Sequence, residues 1–355
     1  MSARHPPTIP IVDLLGDAEA ASETIDRALR RYGFFHLRDH GLDELYESYA
    51  EELRRFFSLD HEEKMRFCLN KGYGSGGYVP RGVEAVGRSS GGGDDARADP
   101  VENLSDSDPN LRTYPSAERG YRYGDALVER AGALRAALDG VLIQVMRLSA
   151  RALNLADDNF FESSRGGYGG REPGRRESCY LRSARYFDDD NHLATGNDDI
   201  LLYGAHTDYT GFTFLWRSRD NGLQCLLEEG GGAEWIDVPP LGRNVLTVNA
   251  GDLIQRWTNG RWRSNIHRVL KKRVTKSRGE RAAAGGDSAD GPAVVQGNPN
   301  DPSMMLSIVY FTGPANDTVC DPKDLRDLGG DVSGCVYEPV VAGEWLQMKL
   351  ARSNI

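Results

Sequence analysis

The sequence predicts an α+β chain in which a double-stranded β-helix (jelly roll) core is buttressed by N-terminal helices. Three observations carry this expectation. Apolar residues recur at helical spacing up to about residue 153. From about residue 178 the pattern changes to short apolar or alternating runs separated by Gly, Asn, Asp and Pro turns. No internal repeat stands out, and helices followed by strands favour segregated layers over an alternating parallel sheet.

Element by element, Thr8 to Leu15 reads as a short strand entered through prolines. Ala18 to Tyr32 places Ile25, Leu29 and Tyr32 on one helical face. Gly33 to Leu42 (GFFHLRDHGL) is a strand ending in an Asp-His-Gly turn, and Asp43 to Phe57 is a further helix. Ser58 with Glu62 is a capping-type pair for the next one. Gly72 to Asp108 and Ser163 to Arg176 are rich in Gly and polar residues and are expected as loops. Between them, Ala126 to Leu153 aligns Leu127, Leu134, Leu138, Val145 and Met146 along a core-packing helix. The strand series is SCYLRSARYF, DILLYGAHTD, GFTFLWRS, GLQCLL, EWIDV, NVLTVNAGDLIQRW, RSNIHRVLKK and MMLSIVYFTG. Ser277 to Asp301 interrupts it and is too long and polar for a hairpin turn, which predicts a flexible insertion. The expected organisation is an N-terminal helical and strand region (1–120), a long buttressing helix and loop (121–177), the core (178–315, with the insertion at 277–301) and a C-terminal extension packing on it (316–355).

Composition bounds the function. With 355 residues, 39% hydrophobic and 27% charged, the chain can bury a large core. A formal charge of −10 and a pI near 5.3 argue against nucleic acid or an acidic membrane as a partner of the whole molecule. The basic clusters Arg171 to Arg176 and Lys271 to Arg281 read as solvated loop ends. The cysteines show no C-x-x-C pair and no framework spacing, as expected of reduced thiols. No apolar stretch suits a secretion signal or a membrane span, so a soluble cytoplasmic protein without a membrane partner is expected.

The chemistry centres on His206, Asp208 and His267. Strand alternation sends His206 and Asp208 from one face and turns Thr207 away. A histidine on a later strand, His267, completes two imidazoles and one carboxylate on one side of a metal. That set leaves coordination positions open and suits a non-haem Fe(II) that activates oxygen. Taken alone, His-x-Asp is common by chance, and the bland reading is a turn plus a satisfied core histidine. Zinc tolerates the same ligands, but no Glu stands beside them as a general base.

The surroundings decide between these readings. PTIPIVDL, YGFFHLRDHGL, FFSLDHEEK, GAHTDYTGFTFL, GLQ at Gly222 to Gln224, GDLIQRWTNGRWRSNIHRV and SIVYFTGP follow one another in order. With them, residues 8 to 315 resemble the isopenicillin N synthase-like branch of the 2-oxoglutarate- and Fe(II)-dependent oxygenases. The resemblance implies the jelly roll, iron on His206, Asp208 and His267, and 2-oxoglutarate as co-substrate. It further implies a dioxygenase-type oxidoreductase acting with O2 on a small organic molecule.

One departure bears on the co-substrate. The family carries Arg-x-Ser on its last core strand, the guanidinium gripping the distal carboxylate of 2-oxoglutarate; this chain has Met305-Leu306-Ser307. Ser307 matches, but a bidentate cation has become a thioether. A buried carboxylate left without a cation loses on the order of a hundredfold in affinity. The family's Asn-x-Tyr reads Ala184-Arg185-Tyr186, so Tyr186 still offers a hydroxyl. Three readings stay open. Another strand arginine takes over, from Arg182, Arg185, Arg217 and Arg256, with Arg182 first because it shares the parity of Tyr186. Alternatively, an Fe(II) oxidase uses a substrate carboxylate or ascorbate instead. Or the chain is a catalytically silent metal- or ligand-binding scaffold. The predicted co-substrate residues are therefore Tyr186, Ser307 and Arg182.

Duller readings apply elsewhere. Arg268 braces the fold, and Trp235, Trp257 and Trp262 are packing aromatics. His36 and His40 are structural, His61 and His192 exposed, and Cys225 a buried thiol. Arg81 and Glu84 fall where relatives carry a loop over the site mouth.

Overall fold

The computed structural model describes residues 8–68, 77–87, 98–106, 123–164, 179–187, 199–271, 303–327 and 337–353. In chain order its elements are β1 (Ile11–Asp13), α1 (Ala18–Arg31), β2 (Phe34–Arg38), α2 (Asp43–Phe57), α3 (His61–Met65), β3 (Gly77–Val79), β4 (Val101–Ser105), α4 (Tyr123–Ala152), α5 (Phe160–Ser163), β5 (Tyr180–Tyr186), β6 (Ile200–His206), β7 (Phe212–Arg217), β8 (Leu223–Glu229), β9 (Gly232–Asp237), β10 (Val245–Ala250), α6 (Asp252–Trp257), β11 (His267–Lys271), β12 (Met305–Phe311), β13 (Val319–Cys320), α7 (Pro322–Asp327), β14 (Val340–Val341) and α8 (Ala342–Ser353).

Two sheets form the barrel. The larger runs β1-β2-β10-β7-β12-β5-β4-β3, the smaller β6-β11-β8-β9, and β13 pairs with β14 apart from both. This is the predicted α+β jelly roll. Strand alternation divides the interior in two. On β12, Leu306, Ile308 and Tyr310 join the core shared with the helices, while Met305 joins the core between the sheets. Likewise Phe214 and Trp216 of β7 face the helices. Trp216 stacks on Tyr46 of α2, with ring centroids 5.7 Å apart. Ile25 and Leu29 of α1 and Leu134, Leu138 and Val145 of α4 complete that outer core. Each such side chain contributes roughly 1.5–3 kcal/mol on leaving water. Asp17 caps α1 by accepting from the Ala20 amide, and Arg30 and Arg31 in its last turn complement the helix dipole.

Several expectations change. The stretch read as loop contains β3 and β4, which extend the larger sheet. Hydropathy hides β4 because its polar Glu102 is buried only by virtue of its partners: Lys64 at 2.7 Å, the Tyr78 hydroxyl at 2.6 Å and Arg185 at 3.1 Å. The run NVLTVNAGDLIQRW is not one strand; β10 ends at Ala250 and α6 starts past Gly251, so Arg256 is helical. Asp60, not Ser58, caps α3, while Ser58 closes α2. Cys68, Cys179, Cys225 and Cys320 form no disulfide among the described residues. His192, Cys335, the Arg171 to Arg176 cluster and the 277–301 insertion lie outside the described residues, as does the basic stretch beyond Lys271. Among the described residues no helix is long and apolar enough to cross a membrane.

Candidate active site

The strand β6 delivers His206 as its last residue, and antiparallel pairing sets His267, the first residue of β11, directly opposite. Their rings lie 4.3 Å apart between centroids. Asp208 comes just past the strand end, so its placement follows from the turn, where its carbonyl accepts from the Asp252 amide at the start of α6. Thr207, between the two, is among the residues that line the cavity.

One ligand atom from each of the three residues lies within 4.8 Å of the others. The Nε2 atoms of His206 and His267 stand 3.9 and 3.8 Å from Asp208 Oδ1. Each Nδ1 sits by a backbone carbonyl, Gly204 at 2.8 Å and Asn265 at 3.1 Å, which fixes the tautomer and aims an unprotonated Nε2 inward. Burial, together with the neighbouring His267, lowers His206 to about 3, so its imidazole is neutral at physiological pH. For Asp208, burial opposes ionisation, but the two imidazoles and hydrogen bonds from Thr213 and Asn249 outweigh it and hold the carboxyl below its usual range. The Asn249 amide donates to Oδ2 at 2.6 Å, leaving Oδ1 turned toward the histidines.

Other neighbours were missed by sequence reasoning. Asn249 is inward by alternation on β10, a signal the sequence carried. Asp99 carried none: it accepts from the amides of Gly204 at 2.8 Å and Val86 at 3.0 Å, tying down the approach to His206. Burial pushes its carboxyl up to about 7.

These groups open onto a cavity walled by both sheets and by Leu346 of α8. Tyr180, Tyr203, Tyr209 and Phe311 give it an aromatic lining. Trp345 of α8 donates to the Tyr209 carbonyl at 3.0 Å, and Lys349 reaches Asp252 at 2.7 Å. Tyr186 and Ser307 meet there, hydroxyl to hydroxyl, at 3.2 Å. Arg182 also lines the cavity, as its parity predicts, but it is ion-paired with Glu84, both side chains being at most 5% exposed. Arg268 donates to Gln224 at 3.0 Å and lies over the Trp235 ring, in keeping with a brace.

A profile of the 2OG-Fe(II) oxygenase superfamily matches residues 178–283, and one described as the non-haem dioxygenase in morphine synthesis N-terminal region matches residues 9–105. Validamycin A dioxygenase of Streptomyces hygroscopicus subsp. limoneus is 30% identical over 277 residues, 74% of this chain and 72% of that protein. The chain belongs to the 2OG-Fe(II) oxygenase superfamily. A gibberellin 20-oxidase-like protein of Arabidopsis thaliana is a further relative, 29% identical over 75% of this chain and 76% of its own. A full-length Neurospora crassa protein, solved in complex with alpha-KG, shares the fold at a TM-score of 0.67 and 23% identity, covering 97% of this chain and 96% of its own. As a 2OG-Fe(II) oxygenase, the protein is an oxidoreductase that employs Fe(II), 2-oxoglutarate and O2 on a small molecule.

Proposed function

We propose that His206, Asp208 and His267 hold the iron, and that Tyr186 and Ser307 receive 2-oxoglutarate deeper in the barrel. The observation that carries this reading is the convergence of three buried donor atoms whose remaining hydrogen-bonding atoms are already committed. Two neutral imidazoles and one carboxylate suit a divalent cation, leave it a net positive charge, and keep one side open for an anionic co-substrate and oxygen. When bound, the iron supplies oxygen activation coupled to oxidative decarboxylation of 2-oxoglutarate. The chain's own residues do the rest. Asn249 orients Asp208, and the Gly204 and Asn265 carbonyls orient the imidazoles. The aromatic lining favours a small organic substrate that offers a face for ring packing.

Anaerobic Fe(II) titration of the wild type against His206→Ala and Asp208→Ala tests the ligand set. Loss of tight binding in both variants is expected, since structural support around a metal cannot replace a lost ligand. Equal affinity in all three proteins would remove the assignment.

A further inference from the structure

We propose that Arg217 of β7 is the cation that grips the distal carboxylate of 2-oxoglutarate, a role resting on the co-substrate reading above. A five-carbon diacid bound to a metal through its 2-oxo acid end carries its second carboxylate into the barrel. A carboxylate buried there requires a paired cation. Met305 supplies none; it is 4% exposed and packs in the apolar core between the sheets.

Of the four strand arginines weighed from the sequence, three are engaged elsewhere. Arg182 pairs with Glu84. Arg185 turns to Glu102 and the Phe57 carbonyl. Arg256, on α6, donates to the Glu338 carbonyl and lies over the Tyr337 and Trp345 rings. Arg217 differs. It is 8% exposed, and its acceptors are neutral: Asn221 Oδ1 at 3.3 Å, the Val238 carbonyl at 2.8 Å and Thr247 Oγ1 at 3.1 Å. A guanidinium offers five N–H donors, so these three contacts leave part of the fork unused. Among the described residues, the carboxylate that acts on it appreciably is Asp220, which forms no ion pair with it.

Arg217 is not itself among the residues that line the cavity, but its neighbours are. Antiparallel register sets Arg217 opposite Ser307, and its parity is that of Thr213 and Leu215, both of which line the cavity. Asn221, which accepts from Arg217, lines the cavity as well. The Arg217 charge is felt by the Tyr186 phenol, whose hydroxyl meets that of Ser307. Thr213, beside Asp208, lies four residues away, about 13 Å along an extended strand. An arginine reaching back and a diacid reaching down can close that distance. Burial pulls the guanidinium down to about 10, which leaves it protonated at neutral pH. The charge missing at position 305 is thus present one strand over.

The test uses the full-length protein loaded with Mn(II) and measures binding of 2-oxoglutarate and 2-oxopentanoate by calorimetry. The second ligand keeps the 2-oxo acid end and lacks the distal carboxylate. For Arg217→Gln, 2-oxoglutarate is expected to weaken about a hundredfold while 2-oxopentanoate changes less than about threefold. Binding of 2-oxopentanoate doubles as the check that the site is folded. Should the glutamine variant fail to fold, Arg217→Lys keeps the charge but not the fork, and a loss confined to 2-oxoglutarate is again expected. Unchanged 2-oxoglutarate affinity, or equal loss of both ligands, would overturn the role of Arg217. Failure of the Mn(II)-loaded wild type to bind either 2-oxo acid would instead overturn the co-substrate reading beneath it, and the Arg217 role with it.

Discussion

At the scale of single residues, the exchange of position between cation and thioether makes a specific prediction. Met305→Arg alone buries a second guanidinium near Arg217, and two like charges in a dry interior repel and lack carboxylates. Its melting temperature and 2-oxoglutarate affinity are expected to fall below wild type. Met305→Arg combined with Arg217→Gln restores a single cation, and affinity is expected to recover to within about tenfold. A double variant that binds no better than Arg217→Gln alone would show that the two positions do not serve one ligand. From the sequence Arg182 ranks ahead of Arg217 because it shares the parity of Tyr186. What separates them is Glu84, which lies far from Arg182 in sequence and reaches it only through the fold. Pairings of that kind leave no local trace, and so strand parity ranks Arg182 first from sequence alone.

At the scale of elements, periodicity made the long helices legible, because α1, α2 and α4 bury one stripe each. It also made the main barrel strands legible, because their two faces meet different cores. It failed at β4, whose charges are satisfied across strands, and at α6, too short to show a helical period. The candidate metal ligands were legible because they sit at strand ends within an ordered set of landmarks; Asp99 was not, because its role is to hold two backbone amides. Gly222 shows how an element can depend on one residue. Its φ of +81° and a Cβ that would come within 2.1 Å of the Leu270 carbonyl oxygen leave no room for a side chain. The Gly222 carbonyl also accepts from the Leu270 amide at 2.9 Å, so the start of β8 and the end of β11 are locked together. Gly222→Ala is expected to cost several kcal/mol and to weaken Fe(II) binding through displacement of β11. Denaturant titration with and without metal reads both effects, and wild-type stability in the variant would refute the lock.

For the whole molecule, pH dependence follows from a buried histidine. His36 is 2% exposed, and burial, with the Arg217 charge second, lowers it to about 4. The unfolded chain takes up its proton near pH 6.5, where the folded chain refuses it. Stability contributed by His36 is therefore present above about pH 6.5 and is lost as pH falls toward about 4, by up to about 3 kcal/mol. Urea midpoints measured from neutral pH down to about pH 5 are expected to decline less steeply for His36→Gln than for wild type. Parallel slopes would assign the acid sensitivity to other groups.

The cavity wall contributed by α8 has a wider consequence. Leu346 borders the cavity at the candidate metal site, yet it belongs to no barrel strand and lies far along the chain from the candidate metal-binding residues. Changes in this tail can reshape the room offered to a guest molecule while the catalytic scaffold keeps every strand, register and ligand intact. Exchanging tails between relatives is therefore a route to altered substrate choice that leaves the machinery for oxygen untouched.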